Sequence, residues 1–218
     1  MNNNKIYDND IFKEHIDFNK KSLDEEDLNL SPFVQFDQWF KDALKDKEIN
    51  VNAMSLSTVN IKGFPSSRIV LLKNFSDEGF VFYTNYNSHK GKDIENNPNG
   101  CLLFFWQISE RQIRIEGSIK KISSEDSDKY FDTRPIQSKI NTWVSKQSQN
   151  TNKEELMERS KFFQDKYQNH PPRPAHWGGY ILNPIYFEFW QGRTSRLHDR
   201  FSYIKNKSHT WDINRLFP

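Results

Sequence analysis

The chain has 218 residues, 31 basic and 29 acidic, and a formal net charge of +2. That length suits one large domain, and the near-neutral balance gives no general reason to expect nucleic acid or an anionic membrane surface as partner, so local basic clusters need local explanations. The single cysteine, Cys101, excludes an intrachain disulfide and sits in the apolar run Cys101-Leu102-Leu103-Phe104-Phe105-Trp106, where a buried, inert thiol is expected.

Residues 1–30 form a polar stretch expected to be a flexible arm, and 31–218 a single domain. No apolar segment of a secretory signal follows Met1 and no run reaches the length of a membrane span, so a cytoplasmic chain is expected. Ser31-Pro32 starts a helix with a hydroxyl cap and a proline at its first position. Phe33, Phe36, Trp39, Phe40, Ala43 and Leu44 then give it one apolar face. From residue 51 the texture becomes β: a strand over 53–60, a run from Ser66 to Phe75, and a strand over 80–84. Ser88 caps a short helix that stops at Asn97-Pro98. Strands 101–108 and 111–121 follow, joined at Ser109-Glu110. Ser124 to Lys146 is helical with a break at Arg134-Pro135, and 151–168 is a charged helix. After the stiff Pro171-Pro172-Arg173-Pro174, four short strands are expected: 177–182, 185–190, 195–204 and 209–214. About nine strands with tight turns and inserted helices predict a mainly β, α+β domain, an antiparallel barrel whose closure removes exposed edges.

Several clusters carry chemistry. Read as a strand, Arg196, His198 and Arg200 share one face, with Leu197 and Asp199 on the other and Trp190 just upstream. Taken alone, such a face is more often a solvated edge; beside a tryptophan it also suits an aromatic anion. Arg68 and Lys73 bracket an apolar strand and, five apart, face opposite sides unless a bulge intervenes. Tyr83-Thr84 ends a strand and Ser88-His89-Lys90 opens a helix, a weak phosphate signal. Tyr130, Arg134 and Ser138 suit a phosphomonoester or a plain polar face. Trp143 to Ser148 ends a helix in uncharged polar groups, with Gln147 and Ser148 last. The six histidines lack metal-ligand spacing, so no metal is expected. His198 and Asp199 point oppositely on a strand, which sets hydrolase dyads aside.

In order, these segments resemble the pyridoxamine/pyridoxine 5′-phosphate oxidase family, from about Phe33 to Pro218. The resemblance is carried by Ser67 to Lys73, Arg111-Gln112, Trp143 to Ser148, Glu188-Phe189-Trp190-Gln191-Gly192 and Arg196-Leu197-His198-Asp199-Arg200. It implies an FMN-binding split β-barrel acting as a homodimer, with flavin at the subunit interface. By position, Arg68, Ile69, Val70, Leu71, Leu72, Lys73, Tyr83, Thr84, His89, Lys90, Gln112, Gln147, Ser148, Trp190 and Arg200 would hold FMN. Lys73, Tyr130, Arg134, Ser138, Arg196, Leu197 and His198 would hold the substrate, the first four around its phosphate. Arg196 and His198 would be the catalytic pair, and Arg68 and Lys73 would serve flavin and substrate phosphates from opposite faces.

The implied reaction is oxidation of pyridoxamine 5′-phosphate or pyridoxine 5′-phosphate to pyridoxal 5′-phosphate, by hydride transfer to FMN and reoxidation by O2 to hydrogen peroxide. The resemblance departs in two places. Ile11-Phe12-Lys13-Glu14-His15 lacks the Arg and Tyr with which the family's arm closes over substrate, and His89 stands where an arginine usually precedes the lysine. Two other readings compete: another FMN-dependent split-barrel reductase, which need not keep Tyr130, Arg134, Ser138 and Arg196-Leu197-His198, and a non-catalytic binder of FMN or pyridoxal phosphate.

Overall fold

The computed structural model describes residues 17–218; the arm positions Phe12 and His15 lie outside the described residues. Nine strands form one antiparallel sheet, ordered β2-β1-β5-β6-β7-β4-β3, with β8 and β9 continuing from β7. They span Ala53–Val59 (β1), Pro65–Leu71 (β2), Asn74–Ser76 (β3), Gly79–Asn85 (β4), Asn99–Trp106 (β5), Arg111–Lys121 (β6), Trp177–Gln191 (β7), Asp199–Lys205 (β8) and Trp211–Arg215 (β9). The helices are Pro32–Lys45 (α1), His89–Asn96 (α2), Ser124–Asp132 (α3), Ile136–Val144 (α4) and Lys153–Tyr167 (α5). None of them is long and apolar enough to cross a membrane, and among the described residues no cluster of metal-ligating side chains occurs.

The strand count matches the expectation, but the pieces differ. The run from Ser66 to Phe75 is two strands, β2 and β3, which lie at opposite ends of the sheet order. Between them the chain turns a corner. Leu72 N–H donates to Asn52 O beside β1, and Lys73 N–H donates to Val81 O on β4. This corner curls the sheet on itself and brings both ends of the path together.

Conversely, the two strands expected over 177–190 are one. Pro184 lacks a ladder donor, yet it is accommodated at a bulge where the β6–β7 register shifts between Glu116 and Gly117. Gly117 is needed there because a Cβ would lie 2.1 Å from Asn183 O.

The core lies between α1 and the concave face of the sheet. Phe36 is fully buried, its ring centroid 4.9 Å from those of Phe75 and Phe80 and 5.2 Å from that of Phe104. Phe36→Ala is expected to cost about 3–5 kcal/mol, read from denaturant unfolding, because the surrounding rings cannot collapse into the space. A loss under about 1 kcal/mol would show that this helix face does not anchor the core.

Residues 17–30 are not loosely held. Leu23 is 2% exposed, and its N–H donates to Asp199 Oδ2 at 3.1 Å. Arg215 binds Asp24 and Glu25 at 3.1 and 2.8 Å, tying the segment to β9. Such long-range pairings leave no local pattern in the sequence.

Candidate active site

The β2–β3 corner, the end of β4, the start of α2 and the α3–α4 break enclose a cavity of about 790 Å³. Arg68, Ile69, Val70, Leu71 and Lys73 line one side, and Tyr83, Thr84, His89, Lys90, Gln147 and Ser148 the back. Tyr130 on α3, Arg134 in the break and Ser138 on α4 close the rest, because Pro135 separates the two helices. Arg68 and Lys73 therefore face one cavity, not opposite sides, since the corner after Leu71 ends the alternation of the strand. The Leu72 side chain is turned into the core at 5% exposure, and its carbonyl accepts from Asn52 Nδ2.

Lys90 defines the electrostatics. It is 7% exposed, and its Nζ meets only neutral oxygens: Thr84 Oγ1 at 3.2 Å, Ser88 Oγ at 3.4 Å and Gln147 Oε1 at 3.5 Å. Among the described residues no carboxylate pairs with it. Burial, then the nearby Arg68, lowers its pKa. The helix that carries it is seated closely: a Cβ on Gly91 would lie 2.0 Å from Tyr86 O. Ser88 Oγ caps α2 by accepting from Gly91 N–H, and Ser148 Oγ accepts from His89 N–H at 3.2 Å. Lys90 without a carboxylate partner, Arg68 with only a stretched 4.0 Å approach to Asp93, and the converging hydroxyls make a donor set that a phosphomonoester fits.

A further cation stands across the cavity. Arg134 lies 4.4 Å over the Trp177 ring, and its Nη1 donates to Thr142 Oγ1 at 2.7 Å. Burial lowers its pKa too. Tyr83 stacks on Tyr130 at 3.8 Å and on Trp177 at 5.5 Å, giving a flat aromatic wall. Burial, with Tyr130 beside it, pushes the Tyr83 hydroxyl up to about 12, so it serves as a neutral donor and not as a base. Sequence reasoning missed Trp177, whose signal was an aromatic residue opening a strand straight after a proline-rich turn.

The remaining predicted residues form a second cluster, and none of them lines this cavity. Gln112, Trp190 and Arg200 are direct cross-strand neighbours on β6, β7 and β8. Arg196 and His198, however, are not on a strand. The β7–β8 connection is a loop in which Thr194–Arg196 make one 3-10 turn, and φ is 53° at Ser195 and 60° at Arg196. Left-handed residues cannot continue a pleated ladder, so the shared strand face predicted for Arg196, His198 and Arg200 does not exist. Leu197 is 70% exposed in the same loop.

Nor is this face simply cationic. Arg200 Nε and Nη2 donate to Glu188 Oε1 at 2.9 and 2.8 Å, and Arg114 Nη2 donates to Glu188 Oε2 at 2.7 Å. Burial works to raise the Glu188 pKa, but Arg114 and Arg200 hold it below the usual carboxylate value. Asp199 is structural, accepting from Leu23 N–H and Arg215 Nη1.

His198 still reaches Trp190, at 4.6 Å between ring centroids, and Phe18 packs edge-on against Trp190 at 5.7 Å. Phe18 was invisible to sequence reasoning, being far away in the chain. His198 Nδ1 accepts from Arg193 N–H at 3.1 Å, so the neutral ring carries its proton on Nε2. Burial, then Arg196 and Arg200, lowers its pKa below 6.5. The unfolded imidazole therefore takes up its proton first, and this site costs stability as pH falls from 6.5 through the lowered folded value. Ring NMR titration should place His198 below 6.5, and Arg196→Gln should raise it; an unmoved or falling value would show that Arg196 does not act on the ring.

A curled antiparallel half-barrel whose cavity sets buried cations beside an aromatic wall has the chemistry to take an anionic aromatic molecule. Comparison with known proteins narrows this class. The pyridoxamine 5′-phosphate oxidase family model matches residues 40–161, and the model of the pyridoxine 5′-phosphate oxidase C-terminal dimerisation region matches 177–218. The chain is 53% identical over 201 residues to a pyridoxine/pyridoxamine 5′-phosphate oxidase of Bordetella pertussis, covering 92% of this chain and 96% of that one. It is 52% identical to the corresponding enzyme of Cytophaga hutchinsonii over 212 residues, covering 96% and 97%. Among solved structures, PhzG from Burkholderia lata in complex with tetrahydrophenazine-1-carboxylic acid superposes with a TM-score of 0.84 at 26% identity, covering 88% of this chain and 95% of that one. The chain belongs to the pyridoxamine 5′-phosphate oxidase family, a family of oxidoreductases.

Proposed function

We propose that this protein is an FMN-dependent oxidase that converts pyridoxine 5′-phosphate and pyridoxamine 5′-phosphate to pyridoxal 5′-phosphate. The observation that carries the reading is Lys90, a buried ammonium among neutral oxygens beside Arg68, which fits a flavin phosphate. Arg134, with Tyr130, Ser138 and Lys73 on the same cavity, fits the phosphate of a second molecule. Pyridoxine phosphate and O2 yield the aldehyde and hydrogen peroxide; the amine also consumes water and releases ammonia.

The chemistry that FMN supplies when bound is acceptance of a hydride from the substrate C4′ carbon and reoxidation by dioxygen. This chain's residues bind and orient. Arg68 and Lys90 hold one phosphate and Arg134 the other, which fixes the distance between the two molecules. Arg196 and neutral His198 orient the substrate ring, His198 offering an Nε2–H. Trp190 supplies an apolar surface that excludes water.

Both clusters are needed, yet one chain separates them. Gly179, opposite Tyr83, and Trp190 are eleven residues apart on β7. At roughly 3.3 Å per residue that is on the order of 35 Å of strand, longer than one flavin mononucleotide. The reading is therefore a homodimer in which one protomer brings its cavity and its partner brings Gln112, Trp190, Arg196, His198 and Arg200. Exposed Ile69 and Phe105, at 67% and 56%, supply apolar surface for that contact.

A second reading follows from the likeness to PhzG: a tricyclic carboxylic acid as substrate. Tyr130, Arg134 and Ser138 around a phosphate-sized site favour the phosphorylated pyridine instead. Anaerobic addition of pyridoxamine phosphate to the purified protein should bleach the flavin absorbance, and air should restore it with peroxide formed. A yellow protein bleached by a tetrahydrophenazine acid alone would select the second reading. One that no substrate bleaches would be a binder, not an oxidase.

A further inference from the structure

We propose that Thr58 and Asp93, neither of which lines the cavity, are positioning residues that aim the Arg68 guanidinium at the flavin phosphate; this rests on the reading of Arg68 as a phosphate ligand. Thr58 is fully buried and Asp93 is 8% exposed. Thr58 Oγ1 donates to Asp93 Oδ2 at 2.7 Å. A hydroxyl has one proton, so committing it to the carboxylate turns the lone pairs of Thr58 toward Arg68, whose Nη1 donates to them at 2.8 Å. Ser66 repeats the device. Its Oγ donates to Asp93 Oδ2 at 3.2 Å and accepts from Arg68 Nη2 at 2.6 Å. Leu56 O takes a further Nη1 hydrogen bond at 3.1 Å.

Asp93 thus sets two hydroxyl rotors, and the hydroxyls clamp the guanidinium from behind. The direct ion pair stays stretched, with Arg68 Nη2 4.0 Å from Asp93 Oδ2. Thr58 and Ser66 act as spacers: they fix the direction of the cation while keeping the carboxylate from closing on it and neutralising it. Helix α2 places Lys90 in the cavity and, three residues on, Asp93 behind Arg68, so one helix seats both a phosphate-facing cation and the aiming anion. Removing the Thr58 hydroxyl without changing shape frees Arg68 to swing onto Asp93.

The test compares FMN with riboflavin, which lacks the phosphate, in fluorescence titrations of the flavin-free protein. Thr58→Val should weaken FMN binding about ten-fold, the scale of one charge-assisted hydrogen bond, and leave riboflavin binding unchanged. Thr58→Ser should bind FMN within about two-fold of wild type, since it restores the oxygen. Adding Asp93→Asn to Thr58→Val should recover part of the lost affinity, because no carboxylate then captures the cation. The proposal is overturned if Thr58→Val keeps FMN affinity while Arg68→Met loses it. Parallel loss of riboflavin and FMN also overturns it, because that marks a purely structural role. If Arg68→Met itself binds FMN normally, the phosphate reading fails and the positioning proposal fails with it.

Discussion

Lys90→Met is expected to purify without flavin colour and yet, as flavin-free protein, to unfold at the same temperature as the wild type or a higher one. The two halves of this result have one cause. The ammonium is 7% exposed with only Thr84, Ser88 and Gln147 oxygens around it, so the empty protein holds a desolvated charge without a counter-ion. Methionine matches its length and removes that cost. With a phosphate in place the charge is satisfied, and its removal forfeits a charge-assisted hydrogen bond of about 1.5–3 kcal/mol, or roughly 10- to 150-fold in FMN affinity. The pH dependence gives a second signature. Because the folded pKa of Lys90 lies below 10.5, the unfolded chain binds the extra proton between those values. Wild-type flavin-free protein therefore gains stability as pH rises through that window, and Lys90→Met loses this gain. Flavin content equal to wild type would remove Lys90 from the site, and collapse of the flavin-free fold would make it structural.

Arg196→Ala is expected to lower kcat/KM about 100-fold or more while FMN content stays within about two-fold of wild type. Arg196 sits in the β7–β8 loop, whereas Trp190 and Arg200 are held in the ladder and Lys90 lies in the other cluster. Its loss should leave the cofactor in place and misorient the substrate, and small misplacements of reacting atoms cost about two orders of magnitude. Alanine meets the same left-handed strain at φ 60° as arginine does, so the backbone is not the variable. Equal loss of turnover and flavin would assign Arg196 to the cofactor instead.

Much of this was legible in the sequence, for physical reasons that differ from element to element. Helix α1 announced itself because proline at its first position and an apolar stripe from Phe33 to Leu44 are local signals, although Leu44 itself ends on the exposed side of the helix. The break at Arg134-Pro135 was equally local. The side chains around the large cavity were identifiable too, because they flank strand ends and helix starts where short motifs gather. Strand ends at the β2–β3 corner were not, since Leu72 and Lys73 turn to satisfy Asn52 and Val81, partners set by the sheet order. The same corner decided that Arg68 and Lys73 share a cavity. Positive φ at Ser195 and Arg196 removed the strand that alternation predicted, a tertiary override of periodicity. Arg200 looked like a free cation because its partner Glu188 is twelve residues away across a hairpin. Residue types and their order thus determined the family, the helices and the chemistry on offer. Only the closed tertiary structure decided which charges meet, because ion pairing, burial and face depend on contacts between segments that no local pattern records.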